Sequence, residues 1–347
     1  MKLNVHTCHL QLAYEWKIAN SESSSTDEVI IVELTDRDGV IGLGEAPPSA
    51  VYGETASGVM EFYRRVDVSQ FSFDDIPGSM ARLEAFTPMP TAARCGLNTA
   101  LADGAAKRSR SGLCDFFNLG FRENYHVTSF SIGIDSPDII HKKVLAAANY
   151  PVLKLKVGVA HDDENLAALR SVAPDKPVRV DANEGWKTKE YALERLEWLA
   201  KDGRIQFVEQ PMPRTTSKVD LLWLKERSPL PLFADESCQT AADIPHCAEC
   251  FHGVNIKLVK AGGVSMAHET LQAARRARLK TMIGCMIETS VLISAAANLA
   301  ELADYLDLDG NLLITNDPYA GVTAKNGILS FANVKEPFGL RVSQRAA

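Results

Sequence analysis

Lysines and carboxylates recur through the second half of the chain, each at the end of a short apolar run. Lys154 and Lys156 close one such run, and Lys257 closes a later one. The runs between them end in carboxylates about one strand–helix unit apart, namely Asp181, Glu209 and Asp235. Buried lysines and carboxylates are costly unless they are paired or bind a metal, so this set is difficult to explain as ordinary core. It indicates a site at which lysines move protons beside a bound cation.

The spacing of these residues predicts which side chains share a face. Side chains at positions i and i+2 of a strand point to the same side. Four pairs follow this spacing: Lys154 and Lys156, Asp181 and Asn183, Asn255 and Lys257, and Asp307 and Asp309. Three oxygen ligands at one mouth suit Mg²⁺, which prefers hard oxygen donors and keeps positions open for water or substrate. We therefore expect Mg²⁺ as the cofactor, with lysines on both sides of it.

Short β-rich runs alternate with amphipathic helical stretches from about residue 127 onward. The predicted strands are Val127–Gly133, Val152–Gly158, Val178–Asn183, Gln206–Pro211, Leu232–Ser237, Gly253–Leu258, Thr281–Met286 and Leu306–Asp309. Helices are predicted between them, including Asp163–Val172, Lys189–Ala200, Ser265–Arg278 and Ser290–Ala303. Such an alternation favours an α/β fold with a (β/α)8-type barrel, whose active site lies at the carboxyl ends of the strands.

The N-terminal part shows a different order of apolar runs and helical patterns, which predicts an α+β unit. Two β-rich runs, Val29–Leu34 and Val40–Glu45, flank Asp36–Gly39. An Asp-Gly between such runs is a strong hairpin signal. Helical patterns follow near Ser57–Val66 and Ala92–Arg110. We predict three parts: an α+β capping domain over residues 1–122, a barrel over 123–316, and a C-terminal segment over 317–347 that packs back on the cap.

The residue types also predict a reaction. A hydrogen beside a carboxylate is very weakly acidic, because its removal gives a dianionic enediolate. A positioned base typically contributes about 10²–10⁴-fold, whereas enzymes reach about 10⁶-fold or more. The remainder must come from a cation that stabilises the developing charge. Lysines on both faces of the substrate would allow one to remove the proton and the other to return it, which inverts the carbon.

Composition excludes several other classes of protein. The chain has 347 residues and a net charge of −7, so it is not expected to bind nucleic acid. No apolar run is long enough to cross a membrane, and no signal peptide is recognised. The seven scattered cysteines predict reduced thiols and a cytoplasmic protein. Cys247 and Cys250 form a C-x-x-C, but no second such pair is present to complete a zinc site. A homo-oligomer remains possible.

The ordered motifs resemble the enolase superfamily, in its muconate-cycloisomerase-like subgroup. The resemblance is carried by Lys154-x-Lys156, Asp181-x-Asn183, Glu209-Gln210-Pro211, Ala234-Asp235-Glu236-Ser237, Asn255-Ile256-Lys257, Lys260-Ala261-Gly262-Gly263 and, in the cap, Gly44-Glu45-Ala46-Pro47-Pro48. It implies that Lys156 and Lys257 are the acid/base pair and that Lys154 tunes Lys156. It also implies Mg²⁺ ligands at Asp181, Glu209 and Asp235, supported by Asn183, Glu236 and Asn255. Cap loops near residues 14–26 and 48–55 would cover the substrate.

Asp307-x-Asp309 resembles the mark of dipeptide epimerases within this subgroup. There an acidic pair holds the α-ammonium of the dipeptide, while the metal holds its carboxylate. Relatives that act on Ala-Glu usually carry an arginine in the first cap loop, but Trp16–Ser23 contains none, and Lys17 lies before the usual place. The resemblance therefore implies a Mg²⁺-dependent dipeptide epimerase whose small-molecule substrate has a second residue that is small, apolar, cationic or acidic.

Several alternatives stay open from the sequence. The same fold could serve an N-acylamino acid racemase, an o-succinylbenzoate synthase or a cycloisomerase, although their substrates carry no ammonium for Asp307 and Asp309. A Schiff-base lyase or aldolase on a similar barrel would use one lysine as nucleophile. A non-catalytic binding module is a further option. We expect Lys260 to support the site rather than react, and Cys285 and Glu288 to pack near it.

Overall fold

An antiparallel sheet of three strands opens the chain in the computed structural model, which describes residues 1–20 and 22–346. The strands are β1 (Lys2–Trp16), β2 (Ser24–Thr35) and β3 (Ile41–Ala46). The predicted hairpin is confirmed, since Thr35 pairs with Ile41 across Asp36–Gly39. Strand β1 was not predicted from the sequence. Most of its residues are exposed or half-buried, so its apolar alternation is weak.

Four helices follow the sheet: α1 (Ala56–Arg65), α2 (Ile76–Leu83), α3 (Thr91–Arg108) and α4 (Leu113–Phe116). Helices α1 and α3 pack on the sheet, and α2 and α4 pack on α3. Helix α3 is buried over most of its length and crosses β3 very closely. Glycine is required at the crossing, because a Cβ atom at Gly44 would collide with the carbonyl oxygen of Gly96. The predicted helices near Ser57–Val66 and Ala92–Arg110 correspond to α1 and α3.

Eight parallel strands form a barrel in the middle of the chain, in the sequential order expected of a (β/α)8 fold. They are β4 (Phe130–Ile132), β5 (Leu153–Lys156), β6 (Val178–Asp181), β7 (Ile205–Glu209), β8 (Leu232–Ala234), β9 (Gly253–Lys257), β10 (Lys280–Gly284) and β11 (Tyr305–Asp307). The first and last strands approach each other, since Thr128 and Leu306 form a parallel bridge and the Ser129 amide donates to the Leu306 carbonyl at 3.1 Å. The predicted α/β barrel with an α+β cap is confirmed.

The barrel strands are shorter than predicted at their carboxyl ends. The sequence placed Asn183, Asp235 and Asp309 on strands, whereas each lies one or two residues beyond its strand. Asn183 and Glu184 adopt positive φ angles of 40° and 64°, so the chain turns sharply there. The backbone is not extended in such a turn at the barrel rim. The periodicity of apolar residues in the sequence does not indicate where the strand ends and the turn begins. Only the residues inside the strands therefore keep the strict period of two.

Helices surround the barrel and connect its strands. They are α5 (Pro137–Ala146), α6 (Asp162–Val172), α7 (Lys189–Ala200), α8 (Lys218–Arg227), α9 (Ile244–Cys250), α10 (Leu258–Ala261), α11 (Val264–Arg276) and α12 (Ser290–Ala297). The predicted helix over Ser290–Ala303 was too long, because α12 ends at Ala297 and a separate 3₁₀ turn covers Ala300–Leu302. No helix in the described ranges is long and apolar enough to cross a bilayer.

The C-terminal tail contacts both the cap and the barrel. Its short strands are β12 (Tyr319–Ala320), β13 (Thr323–Lys325), β14 (Ile328–Ser330) and β15 (Ser343–Gln344), paired as β12 with β15 and β13 with β14. Buried Asp103 of α3 accepts hydrogen bonds from the amides of Leu43 and Leu340, both at 2.7 Å. The Thr128 amide donates to Gly327 at 2.8 Å. The exact domain boundaries at residues 122 and 316 stay predictions.

Candidate active site

Three carboxylates meet at the carboxyl ends of neighbouring barrel strands. Asp181 ends β6, Glu209 ends β7, and Asp235 follows β8 directly. The register pairs Asp181 with Glu209, so the two side chains lie at the same level of the barrel. All three are completely buried, and one oxygen from each lies within 4.8 Å of the others. The sequence therefore identified a set of residues that the fold brings together.

Lysines flank this carboxylate cluster from opposite sides. On β5, the Lys156 ammonium donates to Asp181 Oδ2 at 2.6 Å. On β9, the Lys257 ammonium donates to Asp235 Oδ2 at 2.8 Å. Strands β6, β7 and β8 lie between β5 and β9 in the sheet. A molecule that bound over the three carboxylates would thus meet one lysine on each side.

Lys154 lies deeper than Lys156 and is fully buried. Its ammonium is 3.0 Å from Asp181, 2.8 Å from Glu209 and 2.7 Å from Asp307. Burial alone would lower the pKa of Lys154, but these carboxylates raise it well above its usual value. Lys154 is therefore a fixed positive charge at the centre of the barrel mouth. The tuning of Lys156 by Lys154 stays a prediction.

The pKa values of the carboxylates diverge because the balance between burial, neighbouring carboxylates and neighbouring lysines differs from one carboxylate to the next. Burial raises the pKa of Glu209 to about 7, assisted by the neighbouring Asp181 charge. Burial also opposes ionisation of Asp235, but Lys257 and Lys260 hold its pKa below its usual range. For Lys257, burial lowers the pKa while the adjacent Asp235 raises it well above normal. The site thus holds more carboxylate charge than its lysines neutralise.

The side chains around the cluster have unused acceptor atoms. Asn255 donates from Nδ2 to Glu209 at 2.7 Å, and Asn183 donates to Glu236 at 3.2 Å. Within the described residues, Asn183 Oδ1, Asn255 Oδ1 and Glu236 Oε2 are buried without a hydrogen-bond partner. Buried polar atoms usually have partners, so unpaired oxygens beside three carboxylates fit the coordination of a cation or of its water ligands. The donor set is therefore suited to a divalent metal ion.

Asp307 and Asp309 lie at one side of the cavity, but in different surroundings. Asp307 pairs with Lys154 and accepts from Ser129 Oγ at 2.6 Å. Burial opposes ionisation of Asp307, yet Lys154 holds its pKa down, at about 2. Among the described residues, Asp309 accepts a 2.5 Å hydrogen bond from the Ser131 amide and a weak thiol contact from Cys285, and it forms no ion pair. Burial and the Asp307 charge raise the pKa of Asp309 to about 7, so Asp309 is the member of the pair that lacks a cation.

Three further residues that the sequence placed near the site support it in different ways. The Lys260 ammonium is buried and donates to Asp235 Oδ1 at 2.5 Å, to the Cys238 carbonyl at 2.9 Å and to the Asn255 carbonyl at 3.1 Å. Cys285 lines the cavity, and its thiol packs against the Asp307 carbonyl at a distance of 3.2 Å. Glu288 is buried behind the cavity, where its carboxylate accepts from the Met286 amide at 2.9 Å.

The cap closes over these residues and leaves a cavity of about 320 Å³. Its floor includes Lys154, Lys156, Lys257, Asp307 and Asp309, and its wall is formed by Leu12, Trp16, Ile18, Glu22, Asp27, Pro47, Pro48, Val51, Tyr52, Ile287 and Leu313. The two cap segments predicted to cover the substrate both contribute residues to the lining of this cavity, although the first loop is shorter than predicted. Strands β1 and β2 take up residues 14–16 and 24–26, and Ser21 lies outside the described residues. Lys17 is not among the lining residues, so it does not replace the missing arginine.

Comparison with known proteins agrees with this architecture. Residues 140–317 match the family described as Enolase C-terminal domain-like. The L-Ala-D/L-amino acid epimerase of Pedosphaera parvula is 62% identical over 335 residues, covering 96% of each chain. The structure of a substrate-liganded L-Ala-D/L-Glu epimerase from Bacillus subtilis superposes with a TM-score of 0.92 at 25% identity, covering 100% of this chain and 99% of that one.

The chain belongs to the dipeptide epimerases of the enolase superfamily.

A second solved structure of this group carries ligands. The dipeptide epimerase of Cytophaga hutchinsonii, complexed with Mg and the dipeptide D-Ala-L-Val, superposes with a TM-score of 0.91 at 26% identity, covering 99% of this chain and 95% of that one. The matched family region contains every barrel residue predicted for the site, from Lys154 to Asp309. The cap residues of the cavity wall lie outside that region. This enolase-superfamily member is therefore an isomerase. Because the family match does not extend to the cap, the contribution of the cap to the cavity depends on the residues of this chain alone.

Sequence reasoning missed several residues of this epimerase site. Ser129 and Ser131 hold Asp307 and Asp309, but Ser131 lies on β4 and Ser129 directly before it, in a segment with no charged residue to attract notice. Gly284 lies between Lys257 and Asp307 in the register, and a Cβ there would approach Asn255 Oδ1 to 2.6 Å. The end of β10 therefore has no side chain at Gly284, which leaves room for the side chain of Asn255. Such serines and glycines carry no signal that distinguishes them in one sequence.

Arg214, which sequence reasoning also did not identify, holds the second cap loop (residues 48–55) against the barrel. The Arg214 guanidinium lies 5.3 Å from the Tyr52 ring centre and donates to the Val51 carbonyl at 3.3 Å. The Arg214 amide donates to Glu184 at 2.6 Å, which anchors the arginine on the barrel rim. Tyr52 lines the cavity with Lys257, and burial raises the pKa of Tyr52 to about 12. The loop therefore presents a neutral aromatic wall to the substrate.

Proposed function

We propose that this enzyme inverts the α-carbon of the C-terminal residue of a dipeptide by two-base proton transfer between Lys156 and Lys257. The observation that carries the proposal is the position of these two lysines. Their ammonium groups contact Asp181 and Asp235 from opposite sides of one buried carboxylate cluster. A carbon held over that cluster would have a proton donor or acceptor on each face, which is what inversion requires.

The proposed cofactor is Mg²⁺, held by Asp181, Glu209 and Asp235. Three buried carboxylate oxygens within 4.8 Å of one another support this assignment, since Mg²⁺ prefers hard oxygen ligands. When bound, the ion would hold the substrate carboxylate and neutralise the charge that develops on it as the α-proton leaves. Lys154 adds a fixed positive charge beside the same oxygens.

The proposed ligand of Asp307 and Asp309 is the α-ammonium group of the dipeptide. Both carboxylates line the cavity, and Asp309 has no cation beside it in the described part of the chain. An ammonium group at Asp309 would supply that missing charge and form charge-assisted hydrogen bonds. N-acylated substrates have no such group, which disfavours the racemase, synthase and cycloisomerase alternatives. The proposal therefore specifies an unblocked dipeptide.

The test is α-proton exchange in D₂O. The Mg²⁺-loaded protein is incubated with a set of L-Ala-L-Xaa dipeptides, and deuterium incorporation is followed by NMR. We expect exchange and inversion at the Xaa α-carbon alone, loss of both on addition of EDTA, and recovery with Mg²⁺. N-acetylated versions of the same dipeptides serve as controls and should react more slowly. Absence of exchange with every dipeptide in folded, Mg²⁺-loaded protein would overturn the proposal.

We also propose a cytoplasmic location. All seven cysteines are free thiols, and five of them are buried. Free thiols persist in the reducing cytoplasm, whereas oxidising compartments favour disulfides.

A further inference from the structure

Two carboxylates from the cap lie on the wall of the catalytic cavity, among apolar residues such as Leu12, Trp16 and Ile18 and the hydroxyl side chains of Ser24, Thr26 and Ser49. They are Asp27 on β2 and Glu22 in the loop before it. Asp27 pairs with Leu10 across the sheet, so its side chain points to the same face as Leu10 and Leu12. Leu12 also lines the cavity. The face of the sheet that covers the barrel mouth is therefore apolar with an acidic group set into it.

These two carboxylates have no basic partner within the cavity. Among the described lining residues, the basic side chains are Lys154, Lys156 and Lys257, all of which pair with carboxylates on the floor. Asp27 Oδ1 accepts a 2.8 Å hydrogen bond from the amide of its neighbour Glu28, and Asp27 forms no ion pair with any residue of the ranges 1–20 and 22–346. Burial raises the pKa of Asp27 to about 6, as expected of a carboxyl group that has lost water without gaining a cation.

The catalytic arrangement determines which part of a dipeptide faces the cap. This step rests on the proposed function. The α-carbon has four substituents, and three of them are assigned: hydrogen toward Lys156 or Lys257, carboxylate toward the metal ligands, and amide nitrogen toward Asp307 and Asp309. The fourth substituent is the side chain of the second residue. It has to point away from the floor, to the cap wall that contains Leu12 and Asp27.

We infer that this epimerase prefers dipeptides whose second residue is cationic, with Asp27 as the specificity-determining residue and Glu22 reinforcing it. A lysine or arginine side chain would lay its methylene stem on Leu12, Trp16 and Ile18 and place its charge at Asp27. A glutamate side chain in the same place would meet carboxylates of its own sign with no compensating base. The acidic wall thus selects against Ala-Glu and favours Ala-Lys and Ala-Arg.

The first test compares substrates that differ only in the terminal charge. We would measure kcat/KM for L-Ala-L-Lys, L-Ala-L-norleucine and L-Ala-L-Glu at pH 8, where Asp27 is ionised. Norleucine keeps the stem of lysine and lacks its ammonium. We expect the lysine dipeptide to exceed the norleucine dipeptide by about tenfold or more, a difference of about 1.4 kcal/mol. The glutamate dipeptide should be the poorest of the three.

The second test removes the charge of Asp27 and compares it with its neighbour. Asp27→Asn should reduce the lysine-to-norleucine ratio about tenfold. Glu28→Gln is the matched control, because Glu28 pairs with His9 at 2.9 Å on the opposite, exposed face of the same strands. It should leave the ratio unchanged. The comparison of substrates with the wild-type enzyme requires neither variant. The inference can therefore still be tested if one of the variants does not fold.

The outcomes separate this inference from the proposed function. Exchange with the norleucine dipeptide but no preference for lysine would overturn the inference alone. A glutamate dipeptide as the best substrate, or an unchanged ratio in Asp27→Asn, would do the same. No exchange with any dipeptide would overturn both the inference and the proposed function.

Discussion

Carboxyl groups outnumber lysines at the barrel mouth, and this imbalance organises the chemistry of individual residues. Six carboxyl groups and four lysines meet there, namely Asp181, Glu209, Asp235, Glu236, Asp307 and Asp309 with Lys154, Lys156, Lys257 and Lys260. Burial and Asp235 raise the pKa of Glu236 to about 8, which shows the cost of the excess. A divalent cation and a substrate ammonium are the charges that would balance it.

The two proposed bases can be separated by substitution. Lys156→Ala and Lys257→Ala should each reduce inversion by at least about 10³-fold, because each removes one of the two proton-transfer groups. Each variant should still exchange the α-proton of the single epimer whose hydrogen faces the remaining lysine. NMR in D₂O with both epimers of one dipeptide measures this. Lys280→Ala, at an exposed lysine paired with Asp304, is the control. Loss of exchange from the same epimer in both lysine variants would contradict the two-base assignment.

At the scale of elements, the cap is joined to the barrel by a buried carboxyl group at a helix terminus. Glu45, in β3, accepts from the Thr289 amide at 2.9 Å, from Thr289 Oγ1 at 2.5 Å and from the Leu292 amide at 3.2 Å. These donors belong to the first turn of α12, whose free amides need partners. The contact fixes β3, and the loop of residues 48–55 that follows it, against the part of the barrel where α12 follows β10.

Glu45 should make stability depend on pH. Burial raises the pKa of Glu45 from about 4.5 to about 8. Between these values the folded state holds a proton that the unfolded state has lost, so stability should fall as pH rises through this range and level off above it. The slope is at most about 1.4 kcal/mol per pH unit. Glu45→Gln cannot titrate and should lose this part of the slope.

Urea unfolding at pH 5.5, 7 and 8.5 would measure the effect of Glu45. The difference in unfolding free energy between Glu45→Gln and the wild type should shift in favour of the variant as pH rises. Glu61→Gln, at an exposed position on α1, is the matched control and should follow the wild type. A difference that stays constant over this range would show that Glu45 is ionised in the folded protein throughout.

At the scale of the whole molecule, the proposed Mg²⁺ site joins segments that are far apart in sequence. Its proposed ligands come from β6, β7 and the residue after β8, and the flanking lysines come from β5 and β9. A cation bound there interacts with the folded state alone, because the unfolded chain cannot assemble these oxygens. It should stabilise the protein by RT ln(1 + [L]/Kd), which is about 2.7 kcal/mol at a hundredfold excess over Kd.

Thermal unfolding would measure this stabilisation. Mg²⁺ at millimolar concentration should raise Tm by a few degrees relative to NaCl of equal ionic strength. Asp235→Asn should lose most of the shift, whereas Glu61→Gln should keep it. An equal shift in the Asp235 variant would place the bound Mg²⁺ elsewhere on the molecule.

The order of charged residues along the chain determined the barrel and its catalytic set. Lys154, Asp181, Glu209, Asp235 and Lys257 lie at the ends of successive apolar runs, and parallel strands bring such ends to one rim. Because this rule depends only on sequence order and strand period, it could be applied without coordinates. The hairpin at Asp36–Gly39 was predictable for a similar reason, since its turn chemistry is local.

Only the tertiary structure decided what surrounds those residues. The pairing of Lys154 with Asp307, the anchoring of Asp309 by Ser131 and the position of Asp27 over the barrel mouth all join segments that no local pattern connects. Their geometry depends on how the cap packs on the barrel and on turns at the strand ends. The sequence by itself therefore determined the reaction that the barrel can catalyse, while the packing of the cap decided which residues, Asp27 among them, line the wall above the barrel mouth.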